Sequence, residues 1–149
     1  DELLAASRAL VAVAARSLAD VDVTVPQYRA LVILMAPDPT TVGALAQALD
    51  VHASTATRLC DRLVGKALIR RLTGSSGDRR EVVVVLTAPG RRLVERVMTR
   101  RRRDIAEIAS RMTTSDQMQA IHGLRAFAEA AGEAFDMDAF GWVDGAGSS

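Results

Sequence analysis

The stretch LAQALDVHASTATRLCDRLVGKALI, residues 45–69, decides the fold. It begins inside a short helix, VGALAQAL, that turns Val42, Leu45, Ala46 and Leu49 inward. Asp-Val-His follows as a tight turn, and the next helix runs from about Ala53 to Gly65. At about 100° per residue, Ala56, Leu59, Cys60 and Leu63 share one side of that helix. Ser54, Thr57, Arg58, Asp61 and Arg62 take the other, with Thr55 at its edge. Any surface helix has two such sides. What distinguishes this one is a run of small hydroxyls followed by arginine near its N-terminus. Small side chains let a helix approach a groove closely, hydroxyls bond phosphates or base edges, and Arg58 has the reach for guanine O6 and N7. The pattern reads as the recognition helix of a helix-turn-helix, weighed against an ordinary solvated face. His52 opens that helix near phosphate.

Beyond the helix the period changes. LIRRL (68–72) and EVVVVL (81–86) read as two strands, the second rich in β-branched residues. TGSSGDRR between them makes the tip of a β-hairpin, a wing. Asp78, Arg79 and Arg80 sit at its far end, where guanidinium groups can enter a minor groove and Asp78 can aim Arg80. A surface ion pair worth under about 1 kcal/mol is the plainer alternative. Thr87 caps a long fifth helix with Pro89 in its first turn and Leu93, Val94, Val97, Ile105 and Ile108 as its stripe. Thr114 and Gln117 have capping-box spacing for a sixth helix reaching about Phe135.

On the other side, residues 3–19 form a helix with Leu3, Leu10, Val11, Ala14 and Leu18 at helical spacing. Pro26 fits the first turn of a second helix carrying Tyr28, Leu31, Leu34 and Met35; PDPTT ends it and offers Thr41 as the next N-cap. The order is α-α-α-α-β-β-α-α. The fold class is read as mainly α with a small β-hairpin: a winged helix-turn-helix flanked by long helices, read as dimerisation helices because the apolar stripes of the first, fifth and sixth exceed what one small reader could cover. Residues 1–24 are the N-terminal dimerisation helix and 25–90 the DNA-binding region, with the recognition helix at about 53–65 and the wing at about 68–86. Residues 87–135 are the C-terminal dimerisation helices, and 136–149, with Phe140 and Trp142, a tail.

Composition narrows the function. Of 149 residues, 49% are apolar, enough for one core, and no apolar stretch is long enough to span a bilayer. A single cysteine, Cys60, excludes an intramolecular disulfide framework and fits a reducing cytoplasm. On the apolar side of its helix it reads as a small hydrophobe, not a redox sensor. With Cys60 and two distant histidines, His52 and His122, no metal-ligand cluster forms within the chain, and no cofactor is called for. No nucleophile elbow, P-loop or dinucleotide fingerprint points to an enzyme. Five aromatics offer no stacking platform for RNA. The net charge is only +1, yet eighteen of the nineteen basic residues are arginine, Lys66 being the one lysine. Arg100 to Arg103, the most basic run, points four ways round a helix and so makes no single docking face; Arg101 falls beside the apolar stripe, where its stem can be buried, and Arg91 and Arg92 lie nearer the wing.

DRREVVVVLTAPG, residues 78–90, resembles the wing signature of the MarR family of transcription regulators, Asp-x-Arg followed by Leu-Thr-x-x-Gly. The helix-turn-helix matches in register and the outer helices in order and length. The resemblance implies a homodimer on double-stranded DNA, with recognition helices in successive major grooves and wings in flanking minor grooves. Ser54, Thr55, Thr57 and Arg58 become groove contacts, and Arg80 a wing-tip contact aimed by Asp78. It also implies release by a small aromatic or anionic effector in a crevice between scaffold and reader, for which Arg16, Tyr28 and Arg96 are the residues to line it. Asp50 and Ala67 stand where relatives use glycine, and Ala53 where many carry a longer polar residue. The rival reading is a winged-helix module that binds protein instead, for which Arg58 and Arg80 would be dispensable.

Overall fold

The computed structural model describes residues 1–72 and 82–132. Six helices and three strands occupy them: α1 (Glu2–Leu18), α2 (Val25–Ile33), β1 (Thr40–Thr41), α3 (Val42–Ala48), α4 (Ala53–Gly65), β2 (Ile69–Leu72), β3 (Val83–Leu86), α5 (Ala88–Ala109) and α6 (Thr114–Ala130). The chain divides into two compact units, one ending at Arg101 and the next beginning at Arg102. Among the described residues no helix is long and apolar enough to cross a membrane.

The first unit holds the core. Leu31, Leu45, Leu63, Ile69, Val84, Val94 and Val97 are each at most 2% exposed, drawn from α2, α3, α4, both wing strands and α5. Burying each such side chain stabilises the fold by about 1.5–3 kcal/mol. Helix starts are set by threonines. Thr24 Oγ1 accepts from the Gln27 N–H while Gln27 Oε1 accepts from the Thr24 N–H, a reciprocal box with Pro26 in the first turn. Thr41 Oγ1 accepts from the Ala44 N–H.

The sheet has three strands, not two. β3 lies in the middle, antiparallel to β2 (Ile69 opposite Leu86, Leu72 opposite Val83) and to β1 (Thr40 opposite Val84, Thr41 opposite Val83). A two-residue strand leaves no alternation to read, and Thr41 is at once its last residue and the cap of α3.

Both helices of the helix-turn-helix end in the same device. After α3, the Asp50 N–H donates to Gln47 O and the Val51 N–H to Ala46 O, with Asp50 left-handed at φ 53°. After α4, the Ala67 N–H donates to Val64 O and the Leu68 N–H to Leu63 O, with Ala67 at φ 56°. These are Schellman closures, which place a residue with positive φ just past the helix end. Aspartate tolerates that region; alanine sets its Cβ against the carbonyl at a cost of roughly 1–2 kcal/mol. Ala67→Gly is therefore expected to stabilise the protein by about 1 kcal/mol after glycine's extra chain entropy is deducted, raising the thermal midpoint by about 2–4 °C. A calorimetric scan beside the parent checks it.

In the α1 stripe named from sequence only Leu18 is buried; Leu3, Leu10 and Val11 are exposed, as is Leu4 outside it, and Val13 and Ser17 face the core instead. α6 differs from expectation at both ends. Its N-cap is Thr113, whose Oγ1 accepts from the Asp116 N–H at 3.2 Å, so the box proposed for Thr114 and Gln117 is displaced by one residue. Gln117 instead donates through Nε2 to Ala109 O and Met112 O. The helix stops at Ala130, followed by Gly132 at φ 73°, short of Phe135. None of its residues is buried.

Candidate nucleic-acid interface

α4 is held from behind at several points. Ala56, Cys60 and Leu63 are fully buried. Lys66, its C-cap, donates to the main-chain oxygen of Asp22 and lies 3.1 Å from the Asp22 carboxylate, a cation where the helix dipole favours one. Thr87 binds the far side of the turn: its hydroxyl donates to Ala67 O at 2.7 Å, its N–H donates to Leu68 O at 3.1 Å, and its Oγ1 accepts from the Gly90 N–H. The Leu-Thr-x-x-Gly motif is thus the buckle between the end of α4, the start of β2 and the first turn of α5.

The opposite side of α4 faces outward among the described residues. Ser54, Thr55, Thr57, Arg58, Asp61 and Arg62 are all exposed, as the helical wheel requires. The Thr57 hydroxyl donates back to Ala53 O at 2.9 Å, so outward it can only accept. Asp61, the one acid on the helix, is bound by Arg71 of β2 at 2.5 Å. Its charge is spent there, and Arg58 and Arg62, without an ion-pair partner among the described residues, leave the outer face basic. Arg71 is the residue sequence reasoning missed; a pairing across ten residues from helix to strand has no periodic signature. His52 is the exposed N-cap residue, and its side chain makes no capping bond.

Asp78, Arg79 and Arg80 lie outside the described residues. Leu72 opposite Val83 is the last described pair of the wing that carries them.

Burial pushes the Cys60 thiol above its ordinary range, opposed by the charge of Arg71 and aided by that of Asp61. The thiolate is correspondingly scarce, as a core role requires. His122 is exposed on α6, and among the described residues no three metal-ligating side chains come together.

The three residues assigned to an effector do not share one lining. Tyr28 is 4% exposed, with the Arg101 guanidinium 5.3 Å above its ring centroid. Arg101 Nη2 reaches Ser17 Oγ at 3.4 Å, while Tyr28 Oη and Arg101 Nε are buried with no hydrogen-bond partner among the described residues. Burial raises the Tyr28 pKa, and the charge of Arg101 counters it. Arg16 is exposed on α1. Arg96 is exposed on α5 in a hollow it shares with Arg92, Glu95, Thr99 and Arg100. Tyr28's neighbour Arg101 follows Val94 and Val97 at helical spacing, the signal that its stem would be drawn in. Next to it Arg100 pairs with Asp20 at 3.0 Å, and Arg103 with Asp104, so the arginine run is engaged in separate directions.

The MarR-family model matches residues 21–81, from the connection before α2 into the wing. The transcriptional repressor MdtR of Bacillus subtilis is 33% identical over 73% of this chain and 70% of its own. Among solved structures, RV1404 from Mycobacterium tuberculosis is 43% identical over 91% of this chain and 93% of its own, with a TM-score of 0.82. A mutant of Staphylococcus aureus MepR bound to an oligodeoxyribonucleotide shares the fold at 24% identity and a TM-score of 0.68, covering 87% and 94% of the two chains. A helix-turn-helix closed by two Schellman turns, a three-stranded wing sheet buckled by Thr87 and Gly90, and these likenesses agree: the chain belongs to the MarR family of winged helix-turn-helix transcription regulators.

Proposed function

We propose that the protein is a homodimeric repressor that binds a pseudo-palindromic operator and is released by a small aromatic or anionic effector. The observation that carries the DNA reading is the outer face of α4: two arginines without an acidic partner among the described residues beside small hydroxyls, on a helix whose own acid is neutralised. α4 enters the major groove, with Ser54, Thr55, Thr57, Arg58 and Arg62 as its contacts and His52 beside phosphate. Arg79 and Arg80 of the wing enter the minor groove, with Asp78 aiming Arg80. MdtR is a repressor, and MepR has been seen with an oligonucleotide; both lend weight to this reading. The protein-binding alternative has no feature in its favour.

A second copy is supported by what the chain leaves uncovered. α1 exposes four large aliphatic side chains and α6 exposes Met118, Ile121, Leu124 and Phe127. A two-fold dimer covers them and sets two recognition helices about one turn of DNA apart. For the effector, Tyr28 Oη and Arg101 Nε are the groups an anionic aromatic molecule would satisfy; Arg16 on α1 and Arg96 on α5 are the further cations assigned to it. Such a molecule shifts DNA affinity only by binding the released state better than the bound one.

The test is selection of bound duplexes from a random library, with Arg80→Ala run beside the parent at fixed salt. A palindrome with half-sites about 10 base pairs apart, bound about tenfold more weakly by the variant, is the expected result. A pool without sequence preference that is indifferent to Arg80 would overturn the reading.

A further inference from the structure

Beside α4 lies a hollow of about 260 Å³ whose surface is largely apolar but into which five side chains bring hydrogen-bond donors. Thr55, Arg58 and Arg62 form one wall, and Thr24 and Gln27 at the start of α2 form the other. The capping box fixes what α2 presents. Thr24 Oγ1 accepts from the Gln27 N–H, which leaves its own O–H to donate outward. Gln27 Oε1 is taken by the Thr24 N–H, which leaves Nε2 as the donor end. Leu59 and Pro26 complete the lining with apolar surface.

The wheel separates the roles of the exposed α4 residues. Ser54 and Arg58 stand opposite the buried line of Ala56, Cys60 and Leu63. Thr55 and Arg62 lie round the flank towards α2, where they line the hollow, and Thr57 and Asp61 round the flank towards β2, where Asp61 meets Arg71. A helix that enters a major groove points its apex at base edges and its later flank at the groove wall, which is made of phosphates.

We propose that this hollow seats one backbone phosphate of the bound duplex in each half-site, with Arg62 as its cation and α2 as its second wall. The inference rests on the DNA-binding reading above and divides its contacts: Arg62, Thr24, Gln27 and Thr55 hold register, whereas Ser54 and Arg58 read sequence. A phosphodiester supplies acceptors for the donors of Thr24, Gln27, Thr55 and Arg62. The hollow is smaller than the roughly 300–1,000 Å³ usual for small-molecule sites. Leu59 and Pro26 suit the C–H face of a deoxyribose.

The experiment measures binding of the parent, Arg62→Gln, Arg62→Lys and Arg58→Lys to the selected operator, its single-base variants and a set carrying one methylphosphonate at each position in turn. Arg62→Gln is expected to weaken every operator variant by the same factor, about 3–10-fold, and to lower the slope of log K against log salt by about 1.8 for a dimer losing two phosphate contacts. Arg62→Lys keeps most of the affinity and slope, because a phosphate accepts a point charge; Arg58→Lys loses base preference, because guanine recognition needs the planar fork. One methylphosphonate per half-site weakens the parent but adds nothing to Arg62→Gln. Altered base preference in Arg62→Gln, or methylphosphonate effects that all survive in it, overturns the seat while leaving the regulator reading intact. Unchanged DNA binding by Arg62→Gln with loss of response to an organic carboxylate assigns the hollow to a small ligand and overturns it equally. A parent that binds no duplex sinks both readings together.

Discussion

Gly90→Ala is expected to destabilise the protein by roughly 3–5 kcal/mol and to lower its thermal midpoint by about 6–20 °C. A β-carbon at this position would stand 2.0 Å from Leu68 O, 3.0 Å from Leu68 C and 3.1 Å from a methyl of Leu86. The first two are backbone atoms, so no side-chain rotation relieves the contact. Leu68 O is also the acceptor for the Thr87 N–H, and Leu68 follows the left-handed Ala67 that closes α4. Moving it disturbs the turn that aims α4 and the first pair of the wing, Ile69 opposite Leu86. Helix propensity argues the other way, since alanine is better than glycine within a helix by about 1 kcal/mol. Overlap with backbone outweighs that gain.

A control isolates the cause. Gly123 lies within α6, and a β-carbon there would meet nothing within 4 Å. Gly123→Ala should therefore show propensity alone, a gain of up to about 1 kcal/mol. Opposite signs in the two variants, read by thermal melting, establish close approach as the reason for glycine at position 90. Equal stability of parent and Gly90→Ala would mean that the loop before β2 yields easily, and that the buckle does not fix the recognition helix.

The limits of sequence reading follow from what local pattern can carry. The span of α4 and its two faces were legible because a single period separates Ala56, Cys60 and Leu63 from Ser54, Arg58 and Arg62. The turns at Asp50 and Ala67 were legible as places where glycine was missing, and both have positive φ. The partner of Asp61 was not legible, since it required knowing that β2 returns past α4. Thr113 and Thr114 are adjacent threonines with Asp116 and Gln117 three residues on, so the sequence offers two capping registers. Tertiary contacts of Gln117 with Ala109 and Met112 decide between them. The α1 stripe shows a further limit: periodicity reveals that a face is apolar but not which body covers it. The wing-tip residues Asp78, Arg79 and Arg80 rest on the sequence motif alone.

Ile121→Glu combined with Phe127→Glu is expected to convert the protein to a monomer and to lower affinity for the full operator by about 10²–10⁴-fold. Among the described residues no side chain of α6 is buried, and Met118, Ile121, Leu124 and Phe127 fall on one half of its circumference and are 49–66% exposed. Completing the burial of each on association is worth about 1–2 kcal/mol, so removing two from each copy takes about 4–8 kcal/mol out of a two-fold interface. The glutamates add repulsion wherever they face their own symmetry mates. Affinity for the whole operator depends on the second α4 binding at the high effective concentration set by the first, and a monomer forfeits that gain. Its grip on an isolated half-site should be unchanged, because every residue of the α4 face belongs to the unit that ends at Arg101. Sedimentation and titrations against full and half operators separate the two effects. A variant that stays dimeric and keeps full-operator affinity places the dimer contact elsewhere, on the exposed aliphatic face of α1. One that becomes monomeric yet binds the full operator as tightly as the parent would show that two-fold symmetry contributes nothing to recognition.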